Sequence, residues 1–344
     1  MTRARTTQLA ALGLSAAVLV GCGKKQELTH LPATPTRVAV SIGGPPGAVD
    51  APLYAAGALG DFARAGLAVT FQSSADGTES LAKLSSGAVN LAIASEPDVL
   101  AARAQGQQVV SIATLEQGPL EALISIPPSS VTKVAGLTGK TVAIGATPAT
   151  GGQPLARAEL ETMLRSAGVP AAGVHTIDAG RNPIAALKAH RADGALGGRW
   201  NVEAIALELQ HRKPNVIKIS DAGVPTFNDA VVVARMSDAR SHGDLLRTFL
   251  QALTRAAHAQ AATPAAALDA LLSAEPSLNR RIESGSLQAT LPILDPPGKG
   301  LTFGHQDPLV WRTFGTWMLT NGLLTVRSDA GLAVDNEFLP GEGE

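Results

Sequence analysis

The sequence predicts a two-lobed α/β protein, and three observations support this fold class. From Arg37 onward, short β-branched or apolar runs alternate with longer segments of helical period, which is the pattern of α/β proteins. The 344 residues are enough for two domains with separate hydrophobic cores. The segment Leu84–Pro97 also aligns without gaps to Leu187–Trp200. Each copy reads as a helix, a polar turn, a short strand and a turn into another helix, so we expect two similar units.

Ligands of open α/β sheets bind outside the carboxyl ends of the strands. The two aligned turns would therefore line a cleft between two facing lobes. The alternative is that any two helix–turn–strand units share this much similarity.

The individual elements follow from the same periodicities. Nine runs are predicted to form strands: Val38–Ile42, Ala68–Gln72, Leu91–Ala94, Val109–Ala113, Ala122–Ile126, Thr141–Ile144, Val174–Ile177, Val216–Ile219 and Ala230–Ala234. Helical segments lie between them. Beyond about Ser241 the sequence predicts only helices, over Gly243–Ala262, Pro264–Ser273, Leu278–Thr290 and Pro308–Asn321.

The N-terminus resembles the signal peptide of a bacterial lipoprotein. Arg3 and Arg5 precede the apolar run Leu9–Val20, and the small residue Gly21 precedes Cys22. The run is too short to span a bilayer, which takes ~20 apolar residues. We expect residues 1–21 to be a cleaved signal, Cys22 to be lipidated and residues 22–36 to be a tether on the extracytoplasmic face of the cell membrane. The alternative is that Cys22 is an unmodified residue of a membrane anchor or an ordinary buried cysteine.

Composition and motifs argue against several functional classes. Acidic and basic residues are mixed, with a formal net charge of −1 and no basic tract, so nucleic acid is not an expected partner. A single cysteine excludes an intramolecular disulfide. The sequence has no Gly-x-Ser-x-Gly or His-Glu-x-x-His motif and no pair of histidines spaced as metal ligands on one helical turn. We therefore expect neither an enzyme nor a metal site.

Several segments resemble one family of solute-binding proteins. Ala51–Leu67 corresponds to its first helix and the entry to its second strand, and Leu137–Gly145 corresponds to one of its strands. The most specific similarities lie at Gly198–Glu203, Lys213–Ile217, Gly223–Asp229, Ala289–Pro292 and Asn336–Pro340. These segments resemble the SsuA/THI5-like group of ABC-importer receptors. Within it they are most similar to the branch that binds thiamin pyrimidine precursors such as formylaminopyrimidine, with riboflavin receptors nearby.

The resemblance implies a periplasmic-binding-protein fold of type II, in which each lobe is a mixed sheet flanked by helices. The chain would cross between lobes near residues 121 and 232. Lobe 1 would then combine residues 37–120 with 232–344, and lobe 2 would span 121–231. Ligand binding would close the two lobes by a hinge motion.

The resemblance also implies a function. The chain would capture a small heteroaromatic nutrient, first of all an aminopyrimidine, and deliver it to an ABC permease served by a cytoplasmic ATPase. Riboflavin, alkyl sulfonate or taurine-type ligands, and nitrate-like ligands are the alternatives. The expected receptor is a monomer without a cofactor. The family also contains a eukaryotic pyrimidine synthase, but its cysteine-rich segment is missing because Cys22 is the one cysteine here.

Trp200, Asn201 and Glu203 are the first candidate ligand contacts. An indole offers a face for a heteroaromatic ring, an amide donates and accepts, and a carboxylate accepts from an exocyclic amine. The structural alternative is that Trp200 is a core residue and that Glu203 stabilises a helix N-terminus. Glu96 occupies the matching turn of the other aligned copy and has the same alternative.

The loop Gly43–Asp50 follows the first predicted strand, and its Pro45 and Asp50 are candidate ligand contacts. Pyrimidine receptors usually carry a Trp-x-Pro-Asn-like segment here, followed by a histidine. In this sequence Gly44 and Gly47 replace the Trp and Asn, and Asp50 stands at the histidine position. One aromatic wall of the expected pocket is therefore missing, which leaves room for a differently shaped ligand.

Three further residues complete the candidate site. Thr150 and Gly151 precede a predicted helix, where free backbone amides could face an anion or carbonyl group of the ligand; the alternative is helix capping. The sequence after them lacks the Lys-Ser/Thr pair of a nucleotide-binding loop. Phe227 would lie near the hinge or the ligand, and its alternative is a core aromatic residue after a tight turn.

Overall fold

The computed structural model describes residues 34–145, 153–294, 302–326 and 330–341. Within these ranges the chain forms two five-stranded sheets flanked by helices, which confirms the predicted two-lobed α/β class. The strands are β1 (Thr36–Gly43), β2 (Leu67–Ser74), β3 (Leu91–Ala94), β4 (Val109–Glu116), β5 (Glu121–Ser125), β6 (Thr141–Ile144), β7 (His175–Asp178), β8 (Gly194–Arg199), β9 (Asn215–Lys218) and β10 (Ala230–Arg235).

The helices cover the sheets and form the C-terminal part of the chain. They are α1 (Ala51–Ala58), α2 (Asp61–Arg64), α3 (Gly77–Ser85), α4 (Glu96–Ala104), α5 (Gln153–Ser166), α6 (Pro183–Lys188), α7 (Glu203–Leu209), α8 (Met236–Ser241), α9 (Gly243–Ala262), α10 (Pro264–Ala274), α11 (Arg280–Leu294) and α12 (Pro308–Thr320). None of the helices in the described ranges is both long and apolar enough to cross a membrane.

The two sheets share one strand topology. The first sheet has the order β2-β1-β3-β10-β4, and the second has the order β7-β6-β8-β5-β9. In each sheet the first three strands of this order are parallel, and the fourth pairs antiparallel with both of its neighbours. Strands β1, β2 and β3 therefore correspond to β6, β7 and β8. The segments that align in sequence contain β3 and β8, which are equivalent central strands.

The chain passes between the sheets twice. The first passage lies between Glu116 and Glu121, and the second lies between Lys218 and Ala230. The antiparallel strand of each sheet, β5 or β10, is the strand that directly follows a passage. Both passages therefore lie next to the carboxyl ends of the parallel strands, where a cleft between the sheets would open.

Each sheet has a glycine at the end of its first parallel strand. A Cβ on Gly43 would lie 2.6 Å from the carbonyl oxygen of Ile93 in β3. A Cβ on Gly145, which directly follows β6, would lie 3.1 Å from the carbonyl oxygen of Leu196 in β8 and 2.9 Å from Cγ of Pro183 in α6. Glycine therefore permits the close approach of strand and helix at this edge of both sheets.

Two of the three hydrophobic clusters in the described ranges include strands of the first sheet. One contains strands of the first sheet and helices α9 and α10. The other extends from the first sheet through α12 to α5 and the second sheet. In this second cluster Phe314 of α12 packs on Phe227, with ring centroids 4.5 Å apart. Trp317 of α12 donates its indole N–H to Oγ1 of Thr162 in α5, at 3.1 Å. Helix α12 therefore connects the two halves of the molecule.

All nine predicted strands and the four predicted C-terminal helices are present, with bounds that differ by a few residues. Strand β8 is not among the nine predicted runs, although the alignment with β3 indicated a short strand there. Its glycines make it resemble a turn in the sequence. Large neighbouring side chains take up the space instead: Leu123 Cδ1 lies 3.1 Å from the Cβ position of Gly194, and Ile184 Cδ1 lies 3.0 Å from that of Gly198.

Candidate ligand-binding cleft

A cleft of about 310 Å³ lies where the carboxyl ends of the two sets of parallel strands face each other. Its first wall consists of the segments that follow β1, β2 and β3. Its second wall includes the start of β5, the end of β8 and Arg181 before α6. The segment from Phe227 to Ala230, which leads into β10, also lines it. Both sheets therefore contribute to one site.

Three aspartates line the first wall, and each follows one parallel strand and stands at the start of one helix. Asp50 precedes α1, and its Oδ2 accepts from the Gly47 amide at 3.0 Å. Asp76 caps α3, and its Oδ1 accepts from the Glu79 amide at 2.9 Å. Asp98 lies in the first turn of α4. Sheet topology therefore brings three carboxylates to one edge.

Asp98 is held in a fixed orientation. Its Oδ2 accepts from the amide of Ser95 at 3.0 Å and from the hydroxyl of the same residue at 2.7 Å. A Cβ on Gly77 would overlap this oxygen, so the glycine at the start of α3 makes room for the carboxylate. The other carboxylate oxygen of Asp98, Oδ1, is buried and has no hydrogen-bond partner. Asp98 thus offers a free acceptor in the wall of the cleft.

Burial changes the proton affinity of this wall. Desolvation raises the pKa of Asp50 to about 7, although the Gly47 amide and the charge of Arg199 act in the opposite direction. Desolvation also raises the pKa of Asp98 to about 7, against the two hydrogen bonds from Ser95. Both carboxyls are therefore partly protonated near neutral pH in the free protein.

The second wall contains an ion pair next to a buried acid. Arg199, the last residue of β8, pairs with Asp229 through Nη2 and Oδ2. Burial alone would lower the pKa of Arg199, but the charges of Asp229 and Glu121 raise it above its ordinary value. Burial and the charge of Asp229 raise the pKa of Glu121 to about 8. The guanidinium is therefore neutralised within the site.

Two more acids are fully buried close to this ion pair. Neither carboxylate oxygen of Glu116 or of Glu159 has a hydrogen-bond partner. Burial raises the pKa of both groups well above the ordinary value, and the charge of Asp229 adds to this effect. Burial therefore favours the neutral form of both side chains. Across the described ranges, no group of three or more His, Cys, Asp or Glu is arranged to hold a metal ion.

The remaining lining is apolar or lies at the mouth of the cleft. Phe227 is 2% exposed and reaches the cleft from the core that it shares with α12. Arg181 is exposed and donates from Nη2 to the carbonyl oxygen of Ala75 at 3.0 Å. This hydrogen bond joins the loop after β7 to the loop after β2, across the mouth.

Of the residues predicted from the sequence to contact ligand, Pro45, Asp50 and Phe227 line the cleft. Trp200 is half-buried elsewhere. Its indole N–H donates to the carbonyl oxygen of Pro119 at 3.2 Å, and Lys218 Nζ lies 3.8 Å from its ring centroid. Trp200 is thus placed beside the first passage between the sheets and is not among the residues that line the cleft.

Asn201, Glu203 and Glu96 also lie outside the cleft lining. Asn201 is fully buried and donates from Nδ2 to Ser286 Oγ in α11, at 2.9 Å. Glu203 Oε2 accepts from the Arg199 amide at 2.7 Å, at the start of α7. Glu96 is fully buried, and its Oε2 accepts from the amide and Nδ2 of Asn228 at 2.9 and 2.7 Å.

The contact of Glu203 matches its structural alternative, support of a helix start. Glu96 instead binds Asn228, in the segment that leads into β10. Ligand contact by these two acids, and by Trp200 and Asn201, stays a prediction. Thr150, Gly151 and Cys22 lie outside the described residues.

The sequence predictions missed six charged residues that line the cleft, namely Asp76, Asp98, Glu121, Arg181, Arg199 and Asp229. Arg199 and Asp229 stood inside the motifs already identified, and Asp98 follows Glu96 by two positions. The position of Asp98 could have been predicted from the capping-box pattern Ser95-x-x-Asp98. In a capping box the side chain of the third helical residue points back to the residue before the helix, here at the end of the strand. Glu121 carried no comparable signal, because an acid at the start of a strand is ordinarily exposed.

Comparisons with known proteins agree on a family. The sequence matches the family model described as NMT1/THI5 like over residues 48–267. It is 28% identical to the formylaminopyrimidine-binding protein of Halalkalibacterium halodurans over 277 residues, which are 79% of this chain and 82% of the relative. It is 29% identical to the riboflavin-binding protein RibY of Chloroflexus aurantiacus over 306 residues, 85% of this chain and 82% of the relative.

A solved structure with the same fold is the periplasmic aliphatic sulphonate binding protein SsuA from Escherichia coli. It aligns with a TM-score of 0.67 and 16% identity, covering 89% of this chain and 99% of SsuA. The likeness shows a shared two-lobed fold.

Proposed function

This chain belongs to the NMT1/THI5-like family, and on that premise we propose that it is an extracytoplasmic solute-binding receptor of an ABC importer. The observation that carries the proposal is the cleft, because residues from both sheets line it. A solute that touches both walls stabilises the arrangement in which the lobes are close. Hinge closure then presents a distinct surface to a membrane permease.

The proposed ligand is a small heteroaromatic nutrient, with an aminopyrimidine as the first candidate. The formylaminopyrimidine-binding relative supports this choice. So does the volume of about 310 Å³, at the lower end of the roughly 300–1,000 Å³ of small-molecule sites. A single ring fits this volume better than three fused rings. Riboflavin is the second candidate, because the relative named RibY aligns over 85% of the chain.

The cleft supplies the groups that an aminopyrimidine needs. Asp50 and Asp98 offer carboxylate oxygens to exocyclic amine hydrogens. Phe227, Ile93 and Val49 supply apolar surface for the ring. In this proposal the protein binds and releases its ligand unchanged, without a cofactor.

The proposed location is the extracytoplasmic face of the cell membrane, with Cys22 as the lipid attachment site. A tether there keeps a monomeric receptor beside its permease and its cytoplasmic ATPase, which raises the effective concentration of the partner. Replacement of Cys22 by Ser should release the protein from the membrane fraction and abolish labelling with radioactive palmitate. Retention and labelling of the Cys22→Ser protein would contradict the proposed anchor.

Binding is tested directly by isothermal titration calorimetry with formylaminopyrimidine, riboflavin and an alkanesulfonate. We expect formylaminopyrimidine to bind in the micromolar range or tighter and to be recovered intact after prolonged incubation. A preference for riboflavin would keep the receptor and change its ligand. Absence of binding by all three, or conversion of the ligand to a product, would refute the receptor proposal.

A further inference from the structure

We propose that the cleft selects a solute with a positively charged or hydrogen-rich nitrogen group, and that Asp98, with Asp50, is the group that receives it. This inference rests on the proposed receptor function and specifies the class of ligand. It adds selection by charge to the hydrogen-bonding role that Asp98 has in the proposed function.

The helix starts that face the cleft already carry carboxylates. The starts of α1, α3 and α4 face the cleft, and a helix start attracts negative charge through its free amides and its dipole. Here Asp50, Asp76 and Asp98 stand at these three starts. Each accepts a hydrogen bond from the local backbone. A sulfonate or phosphate at this wall would meet a resident carboxylate at every helix.

Asp98, in the wall of the cleft, has one carboxylate oxygen without a partner. The residue is 5% exposed and lines the cleft, and its Oδ1 has no hydrogen-bond partner. Two hydrogen bonds from Ser95 fix the other oxygen. A buried acceptor without a partner is unfavourable until a donor arrives. An ammonium or amino group of the ligand is such a donor, and Asp98 lines the cleft that this group would enter.

Acidic residues outnumber basic ones in the lining of the cleft. Asp50, Asp76, Asp98, Glu121 and Asp229 line the cleft together with the two cations Arg181 and Arg199. Asp229 neutralises Arg199, and Arg181 is held at the mouth by the Ala75 carbonyl. No lysine or histidine is present among the described lining residues. Burial raises the pKa of Asp50 and Asp98 to about 7 and that of Glu121 to about 8. A cation entering this site therefore shifts these carboxyls to the ionised form that attracts it, whereas an anion meets two arginines that are already engaged.

A pair of pyrimidines that differ in one group isolates the effect of charge. 4-Amino-5-aminomethyl-2-methylpyrimidine is a cation at pH 7, and its 5-hydroxymethyl analogue has the same ring without that charge. We expect calorimetry to give the aminomethyl compound at least tenfold tighter binding. In the Asp98→Asn protein this preference should fall below threefold, because the amide presents no negative charge. The matched control is Asp244→Asn, since Asp244 also lies in the first turn of a helix but is fully exposed.

The outcomes separate the two proposals. Equal or tighter binding of the hydroxymethyl compound, or binding of only riboflavin or an alkanesulfonate, would overturn the charge selection and leave a receptor with another ligand class. No binding of any of these compounds by folded protein would overturn both. If Asp98→Asn does not fold, the preference of the unmodified protein and the same measurement on Asp50→Asn decide the question.

Discussion

The first and second sheets place different side chains at the same position of the same topology. Asp76 starts α3 after β2, and its Oδ1 accepts from the third amide of the helix at 2.9 Å. Asn182 starts α6 after β7, and its Oδ1 accepts from the Ala185 amide, also at 2.9 Å. The hydrogen bond is the same on both sides, but the charge is present on one side only.

The next strand shows the same contrast. In the first sheet, Asp98 accepts from the amide of Ser95 at the end of β3. In the second, Glu203 accepts from the amide of Arg199 at the end of β8. A carboxylate supports the helix start in both places, but the second sheet adds a guanidinium. The fold therefore requires a hydrogen-bond acceptor at these helix starts. The residue type at each start determines the charge on that side of the cleft.

Substitution of the glycines at the ends of β1 and β6 should give the largest difference in stability between the two sheets. A Cβ on Gly43 would meet backbone atoms at 2.6 and 2.7 Å. One on Gly145 would meet a proline ring at 2.9 Å, and its nearest backbone atom would be farther away, at 3.1 Å. Backbone yields less than a ring, so we expect Gly43→Ala to lower the free energy of unfolding by about 3 kcal/mol and Gly145→Ala by about 1 kcal/mol. Urea denaturation measures both, and equal losses would show that the two edges are equally tight.

Asp98 beside the first sheet and Asp193 beside the second should change the stability of the protein with pH in opposite directions. Burial raises the folded pKa of Asp98 from 3.8 to about 7. Its contribution to stability is therefore present below pH 3.8 and is lost as the pH rises through about 7. For Asp193, next to the second sheet, burial acts upward, but hydrogen bonds from Ser129, Thr141 and Lys140 lower the pKa below 3.8. Its contribution is lost as the pH falls through that lowered value.

Urea denaturation between pH 3 and pH 8 tests this difference. The Asp98→Asn protein should lose less stability than the unmodified protein as the pH rises from 4 to 8. The Asp193→Asn protein should lose less as the pH falls toward 3. Parallel pH profiles for all three proteins would contradict the assigned pKa directions.

The link between α12 and α5 gives a smaller effect. Thr162→Val keeps the side-chain volume but removes the acceptor of the Trp317 indole N–H. We expect the free energy of unfolding to fall by about 1 kcal/mol, the usual net value of one hydrogen bond. Thr316→Val on the exposed face of α12 is the control, and it should cost less. Equal costs would mean that the link does not stabilise the second sheet against the first.

Exchange of the two helix caps gives the smallest effect on stability. Asp76→Asn and Asn182→Asp each keep the cap, because Asn and Asp are nearly equal at this position. We expect each free energy of unfolding to change by less than about 0.5 kcal/mol. Affinity for the aminomethyl pyrimidine should fall a few-fold in Asp76→Asn. An unchanged affinity would show that this carboxylate does not contribute to ligand choice.

The sequence predicted the fold better than it predicted the site. Strands such as β3 and β6 are short apolar runs whose burial on both faces is evident from composition. Strand β8 was the exception. Its glycines leave room for the side chains of Leu123 and Ile184, and this packing is not visible in the sequence. The site depends on which carboxylates are buried. Acids are ordinarily exposed, so nothing local distinguished Glu116 or Glu159 from a surface residue.

Strand β10 has a consequence for how the chain reaches its final state. It lies between β3 and β4, yet it follows the whole second sheet in the sequence. During synthesis, which starts at the N-terminus, β3 and β4 are therefore made before their shared partner strand. Until β10 is made, each has an unpaired edge that can pair with another chain. Domains usually complete in the order of synthesis. In this protein the first sheet is begun first, but it can be completed only after every strand of the second sheet has been synthesised.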